Sequence, residues 1–135
     1  MTQPIDPTFF DDQHSSLTEL RQHFHRHPEL GFKEHATSAR VCDELERLDI
    51  PFDHGLGGTG VVATIRGLGP DNGRRIGLRA DMDALPIQEA SDHGHVSEVP
   101  GVMHACGHDG HTTMLIGAAR YLARHRDFSG TIQLV

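Results

Sequence analysis

Lysine is almost absent from this 135-residue chain, in which Lys33 is the only example and the arginines are scattered. The formal net charge of −7 and the lack of a basic cluster argue against the electrostatic surface that nucleic-acid binding requires. The sequence also has no run of eighteen apolar residues, and no basic segment followed by an apolar one at its start. We therefore predict no nucleic-acid partner, no membrane partner and no secretory signal.

Cysteine is also scarce, since only Cys42 and Cys106 are present, and a disulfide framework is not expected. Two cysteines in a chain of this size favour a reducing, cytoplasmic location. Hydrophobic residues make up 36% of the chain and charged residues 23%, which is typical of a globular domain with its own core. The motifs of several enzyme classes are missing as well: there is no P-loop, no G-x-S-x-G and no H-E-x-x-H.

Hydrophobic periodicity predicts an α/β fold with strands and helices along one domain. The first twelve residues are polar and carry two prolines, so we predict a flexible arm at 1–12 and a folded domain at 13–135. Helices are predicted at 16–27, where Ser16–Glu19 has the spacing of a capping box, at 34–49 and at 109–125. Strands are predicted at 61–65, at 75–80 and from 130 to Val135.

Residues Met103–His111 read MHACGHDGH and form the most informative pattern in the chain. Cys106 and His108 are one residue apart, so in an extended segment both side chains project to the same side. Thiolate and imidazole are preferred ligands of zinc and its neighbours, which predicts that this pair binds a metal ion, although a free cysteine can also be a buried small hydrophobe. For His104 and His111 we predict either a role beside the metal or the substrate, or a place on the surface.

Two carboxylates, Asp81 and Asp83, directly follow the predicted strand that ends at Ala80. Open α/β sheets bind ligands beyond the carboxyl ends of their strands, and residues two apart share a side. Each aspartate could therefore ligate a metal or orient a ligand histidine from behind. A strand-ending turn with solvated acids is the simpler alternative, and the nearby Cys-x-His pair favours the functional interpretation.

Three other patterns have simpler explanations. Gly55–Gly60 matches G-x-G-x-x-G, but a β-branched strand follows it where dinucleotide binding requires a helix, so we predict a flexible turn. His23, His25 and His27 would point in different directions on a helix, and are predicted to be surface or packing residues. Asp109 is predicted to be the N-cap of the last helix.

Two long segments, Arg79–Pro86 (RADMDALP) and Met103–His111, resemble the two hallmark motifs of the M20 metallopeptidase clan, in its amidohydrolase branch. His27–Phe32 (HPELGF) and Gly58–Val62 (GTGVV) also resemble the N-terminal pattern of this branch. The resemblance covers nearly the whole chain, from about Leu20 to Val135. Hippurate hydrolases, N-acyl-amino-acid amidohydrolases and the plant hydrolases of auxin–amino acid conjugates belong to this branch.

The resemblance implies the N-terminal part of an M20-type catalytic domain, with helices packed on a mixed sheet and two divalent ions (Zn, Mn, Co or Ni) in the complete site. Cys106 and His108 match metal ligands of the branch, and Asp83 matches the aspartate behind those ligands. Asp81 stands where other branches carry a ligand histidine, so both aspartates are candidate catalytic residues. A Glu–Glu pair soon after Val135, whose first member is the general base, and two later histidines would complete the site.

The implied activity is metal-dependent hydrolysis of the amide bond of small N-acyl amino acids, such as hippurate, by a parent protein that could be a homodimer. Because the chain stops within a predicted strand, we expect a fragment that is inactive alone. It would lack the base, the lid or dimerisation domain and the C-terminal catalytic part. Two alternatives stay open: another M20 activity, such as a dipeptidase or an N-succinyl-diamino-acid deacylase, or a non-catalytic metal-binding module.

Overall fold

A mixed four-stranded sheet with three helices is the architecture of the computed structural model, which describes residues 4–135. The elements are α1 (Thr8–Arg26), α2 (His35–Glu46), β1 (Phe52–Leu56), β2 (Gly60–Arg66), β3 (Arg75–Leu78), α3 (His108–Arg124) and β4 (Thr131–Leu134). The strand order is β1-β2-β4-β3, in which only the β3–β4 pair is parallel. The predicted α/β fold and mixed sheet are confirmed.

The core lies between the helices and one face of the sheet. Its buried apolar side chains come from all three helices and from β2 and β4, and include Leu20, Phe24, Val41, Leu45, Ile65, Ile116 and Leu134. The helices α1 and α3 approach closely at Gly117, where an added Cβ would lie 3.3 Å from Leu17 Cδ1. A small residue at this point therefore lets the two helices pack against each other.

The helix α1 begins earlier than the sequence predicts. Residues 1–3 of the predicted arm lie outside the described residues, but the helix begins at Thr8, so residues 8–12 are helical. Ser16 is an interior helical residue and not the first residue of a capping box. The reason is a tertiary contact, because Phe10 stacks on Tyr121 of α3 with ring centroids 5.6 Å apart. Burial against a distant helix thus extends α1 beyond its local start signal.

The predicted second helix is confirmed as α2, although it ends at Glu46, three residues earlier than expected. It is followed by β1, a strand that the sequence analysis did not predict. β1 and β2 form an antiparallel hairpin across the glycine-rich turn. Gly57 and Gly58 have φ angles of 62° and 105°, which glycine adopts at no steric cost. The turn therefore leads into a strand and not into a helix, as predicted, and the match to the dinucleotide pattern is a coincidence.

The predicted site residues are positioned by three elements, β3, α3 and β4. β3 and β4 run parallel and α3 connects them, as the predicted strand–helix–strand crossover requires. An isolated bridge between Leu30 and Ala84 holds the long predicted irregular stretch before α3 to the rest of the fold, and a second bridge, Leu85 with Met103, joins two parts of the stretch itself. Within residues 4–135, no helix combines the length and apolarity that a membrane crossing would need.

Candidate metal centre

The candidate centre forms where the chain leaves β3 and where α3 begins. The backbone N–H of Ala80 donates to the carbonyl of Val135 at 2.9 Å, which extends the parallel pairing past the end of β3. Thr112 Oγ1 of α3 donates to the carbonyl of Asp81 at 2.9 Å. At the start of α3, Gly107 has a φ of 87°, a conformation that favours glycine. These contacts place the predicted aspartates beside the first turn of α3.

Asp83 orients His108. The Nδ1 atom of His108 lies 3.0 Å from Asp83 Oδ1 and 3.0 Å from the backbone carbonyl of the same residue. Both partners are acceptors, so Nδ1 carries the proton and donates to them. The unprotonated Nε2 is then the atom available to a metal ion. This carboxylate–histidine arrangement is the one that fixes ligand histidines in metal proteins.

Asp81, His108 and His111 bring three ligand atoms together, all within 4.8 Å of one another. Asp81 Oδ1 lies 3.2 Å from His111 Nδ1 and 3.9 Å from His108 Nε2. The hydrogen bond from His111, followed by a backbone hydrogen bond, lowers the pKa of Asp81 below its usual value. A carboxylate oxygen and two imidazole nitrogens at these separations fit one divalent ion. The donor set therefore suits the metal that the sequence predicts.

Cys106 and His104 flank this group with different environments. Cys106 is an exposed free thiol just before Gly107, and it lies outside the group of three. Its role as a metal ligand therefore stays a prediction. His104 is buried rather than on the surface, and neither ring nitrogen has a hydrogen-bond partner among the described residues. Burial, more than any neighbouring charge, lowers the pKa of His104 and favours its neutral form.

Asp109 is not the N-cap that the sequence analysis predicted, because the helix begins one residue earlier and Gly107 is its N-cap. The Asp109 side chain is 1% exposed and turns toward α1. Its Oδ2 atom accepts a hydrogen bond from His25 Nδ1 at 2.8 Å and another from Arg21 Nε at 3.1 Å. The carboxylate thus joins the start of α3 to α1 in the interior.

His25 makes more polar contacts than a packing residue requires, and Glu89 is a buried partner that no motif indicates. His25 is a packing residue, as one of the two alternatives stated, but both of its ring nitrogens contact buried carboxylates. Glu89 lies in the stretch without periodicity, where no local signal indicates that its side chain is buried against α1. His27 is exposed and His25 is buried, so these histidines have different surroundings, as their positions on a helix predict.

Comparison with known proteins relates this geometry to a family. Residues 77–135 match the family described as Peptidase family M20/M25/M40. The chain is 47% identical over 121 residues to thermostable carboxypeptidase 2 of Saccharolobus solfataricus. It is 43% identical over 123 residues to the hippurate hydrolase of Campylobacter jejuni. These alignments cover 88% and 91% of this chain but only 30% and 31% of the two relatives.

A solved structure gives the same picture of the fold. The chain matches a dinuclear metal-binding peptidase of the M20 family from Bacillus subtilis with a TM-score of 0.85 and 41% sequence identity. The alignment covers 96% of this chain and 35% of that protein. The chain therefore spans about a third of the length of the proteins it matches. Its helices and strands correspond to one part of a larger fold.

Proposed function

The chain belongs to peptidase family M20/M25/M40, and from that premise we propose that it supplies one side of the metal site of an amide hydrolase. The proposed substrates are N-acyl amino acids, of which hippurate is an example. One observation carries the proposal: Asp83 fixes His108 so that its Nε2 atom lies in a group with Asp81 and His111. A histidine with only a structural role would not need an unprotonated Nε2 atom directed toward a second carboxylate, here that of Asp81.

The residues of this chain would hold and orient the metal, and they would not accept the proton of the attacking water molecule. Asp81, His108, His111 and Cys106 are the proposed ligands, and Asp83 keeps Nδ1 of His108 protonated. Two bound divalent ions (Zn, Mn, Co or Ni) would polarise the amide carbonyl and lower the pKa of a water molecule. Neither ring nitrogen of the buried His104 has a hydrogen-bond partner within residues 4–135, and its proposed role is a hydrogen bond to the substrate.

The general base is proposed to lie outside this chain's own site residues. Asp83 holds His108 in place and Asp81 is a proposed metal ligand, so we assign the acceptance of a proton from water to a different carboxylate. A glutamate from a longer protein would accept it and pass it to the leaving amine. The 135 residues alone would then bind metal but hydrolyse nothing. A homodimer and a cytoplasmic location stay predictions.

The similarity to a carboxypeptidase supports a second candidate, the removal of a C-terminal amino acid from a peptide. Hippurate is N-benzoylglycine, so both reactions cleave an amide whose amine side is an amino acid with a free carboxylate. They differ only in the acyl side, which is an aromatic or aliphatic acid in one case and a peptide in the other. The third alternative is the non-catalytic metal-binding module.

The experiment uses a protein that contains these 135 residues and is as long as the relatives. Hydrolysis is measured after Zn²⁺, Mn²⁺, Co²⁺ or Ni²⁺ is added to the apoprotein, on N-acetyl, N-benzoyl and N-succinyl amino acids and on dipeptides. We expect metal-dependent cleavage of the N-benzoyl or N-acetyl substrates. Exclusive cleavage of dipeptides or N-succinyl diamino acids would replace the proposed substrate. Tight zinc binding without any cleavage would favour the non-catalytic module.

A further inference from the structure

A second group of metal-ligating atoms lies beside α1, on residues that the proposed reaction does not use. His25, Glu89 and His93, here called the peripheral cluster, offer three ligand atoms that all lie within 4.8 Å of one another. Glu89 Oε1 is 3.1 Å from His25 Nε2 and 3.1 Å from His93 Nε2. Two ligand atoms that are each bonded to a tetrahedral Zn²⁺ lie about 3.3–3.4 Å apart, which is close to these separations.

The hydrogen bonds of His25 leave one contact of the cluster unexplained. His25 Nδ1 lies 2.8 Å from Asp109 Oδ2, and the two side chains are 4% and 1% exposed. A neutral imidazole has a single N–H, which this short contact uses. Its other nitrogen then presents a lone pair to the Glu89 carboxylate, so two acceptors face each other in the interior. Either a second proton or a metal ion must lie between them.

We propose that His25 Nε2, Glu89 Oε1 and His93 Nε2 bind one transition-metal ion, with Zn²⁺ as the best match, at a structural site distinct from the candidate metal centre. Two imidazoles and one carboxylate form a common zinc donor set. Asp109 stands behind His25 as the carboxylate that fixes its ring, in the same way that Asp83 stands behind His108. The same kind of carboxylate–histidine hydrogen bond would thus orient a ligand histidine at both sites.

The charges around the peripheral cluster favour a cation. Glu89 and Asp109 bring two buried carboxylates, and Arg21, 3.1 Å from Asp109, brings one positive charge. Burial acts to raise the pKa of Glu89, but the hydrogen bond from the Ser97 backbone and the other contacts of the carboxylate outweigh it and hold that pKa at about 2. With neutral histidines, the cluster and its partners therefore carry a net negative charge that an ion would offset.

The cluster is also accessible and has a nearby fourth donor. The side chain of His93 is 36% exposed, so an ion can enter from solvent although His25 and Glu89 are buried. The ring of His95 stacks on that of His93 with centroids 3.8 Å apart, and lies 5.5 Å from the ring of His25. Arg21 Nη1 approaches His95 Nε2 at 3.5 Å. A water molecule or His95 would complete the coordination of the ion.

A bound ion at this position would connect α1 to the irregular stretch that leads to the candidate metal centre. Glu89 already accepts a hydrogen bond from the Ser97 backbone at 2.6 Å, and Glu98 N–H donates to the carbonyl of Arg26 at 2.8 Å. An ion would add bonds that are absent from the unfolded chain. Zinc should therefore stabilise the folded protein through the peripheral cluster, independently of any hydrolysis.

The experiment compares zinc content and zinc-dependent stability in two matched variants. His93→Gln keeps an N–H donor for Glu89 but provides a poor ligand, and His54→Gln changes an exposed histidine on β1 as the control. After dialysis against a low concentration of free Zn²⁺, we expect His93→Gln to retain one zinc ion fewer per chain than the control. We also expect it to lose part of the zinc-induced rise in Tm, while both variants melt at the same temperature in EDTA.

Equal zinc content and equal zinc-induced stabilisation in the two variants would overturn the site, and would mean that a second proton on His25 explains the short contacts. A Co²⁺ titration separates this result from the candidate metal centre. An ion bound by Cys106 gives a thiolate-to-cobalt charge-transfer band that the peripheral cluster, which contains no thiol, does not give. That band should be unchanged in His93→Gln. Loss of the band in Cys106→Ala with retained His93-dependent zinc would leave the peripheral site intact.

Discussion

His108 and Asp109 are neighbours in the first turn of α3, yet their side chains bond in different directions. His108 Nδ1 lies 3.0 Å from Asp83 Oδ1 beside the candidate metal centre, whereas Asp109 Oδ2 lies 2.8 Å from His25 Nδ1 in the interior. Successive helical residues point about 100° apart, so one turn can serve both networks. The start of α3 therefore couples the position of a proposed ligand to the packing of α1.

Replacing Asp83 tests whether it orients His108. Asp83→Asn removes the charged acceptor of the His108 Nδ1–H bond, and we expect the affinity of the candidate metal centre for Zn²⁺ to fall about 10–100-fold. The measurement is a competition titration with a zinc chelator of known affinity. Asp53→Asn, at an exposed position on β1, is the matched control. An unchanged affinity in Asp83→Asn would show that the contact does not position a ligand.

Selective protection of a thiol tests Cys106 as a ligand. Cys106 is exposed, whereas Cys42 is partly buried, and burial followed by the charges of Glu46 and Asp43 raises the pKa of the Cys42 thiol. Iodoacetamide should therefore alkylate Cys106 first, because the thiolate is the reactive form. Added Zn²⁺ should slow the alkylation of Cys106 and leave Cys42 unaffected, as measured by mass spectrometry of the peptides. The ligand assignment fails if zinc gives Cys106 no protection.

Truncating Asp109 should destabilise the fold rather than the metal centre directly. Asp109→Ala leaves the buried His25 and the partly exposed Arg21 without their shared acceptor, and a buried polar group left without its hydrogen-bond partner costs about 1–3 kcal/mol of unfolding free energy. Urea unfolding in EDTA, monitored by circular dichroism, measures this loss without a contribution from bound ions. Asp127→Ala, at an exposed position, should change the unfolding free energy by less than about 0.5 kcal/mol. Similar losses in both variants would contradict a structural role for Asp109.

Much of the fold follows from local patterns in the sequence. The helix α2 is predictable because apolar residues such as Val41 and Leu45 recur at helical spacing. The strand β2 is predictable because it is a run of apolar and β-branched residues such as Val61 and Ile65. All four of these side chains are buried in the structure. The strand β1 was missed because its central residues are exposed and carry no apolar alternation. The start of α1 was misplaced because its cause, the contact of Phe10 with Tyr121, joins residues far apart in sequence.

The residues of the candidate site also differ in whether local sequence patterns could predict them. The proximity of Asp81, Asp83 and His108 was predictable because the two aspartates come soon after β3 and His108 begins α3, so the fold brings them together, whereas their roles stay predictions. Glu89 was not predictable, since its burial depends on how an irregular stretch folds back on α1. The local sequence can indicate where a strand ends, but it cannot predict a contact between residues far apart in the chain, such as His25 with Glu89.

The acid stability of the protein should depend on Glu89. Its pKa is held at about 2, below the ordinary value of 4.5, because hydrogen bonds from Ser97 and His25 outweigh the opposing effect of burial. A depressed pKa stabilises the fold fully above the unfolded value, and this contribution is lost as the pH falls from 4.5 through about 2. The unfolding free energy of the wild type should therefore exceed that of Glu89→Gln above pH 4.5, and the difference should shrink toward pH 2.

Urea unfolding at pH 2 to 6 in EDTA measures this difference without bound metal. Glu98→Gln is the matched control, because the Glu98 side chain is 62% exposed and its contact with His27 is 3.6 Å long. We expect that control to follow the wild type at every pH, since exposed ion pairs contribute little. A wild-type advantage over Glu89→Gln that stays constant down to pH 2 would mean that the ionised carboxylate of Glu89 does not stabilise the fold. The buried contact with His25 would then depend on shape and hydrogen bonding alone.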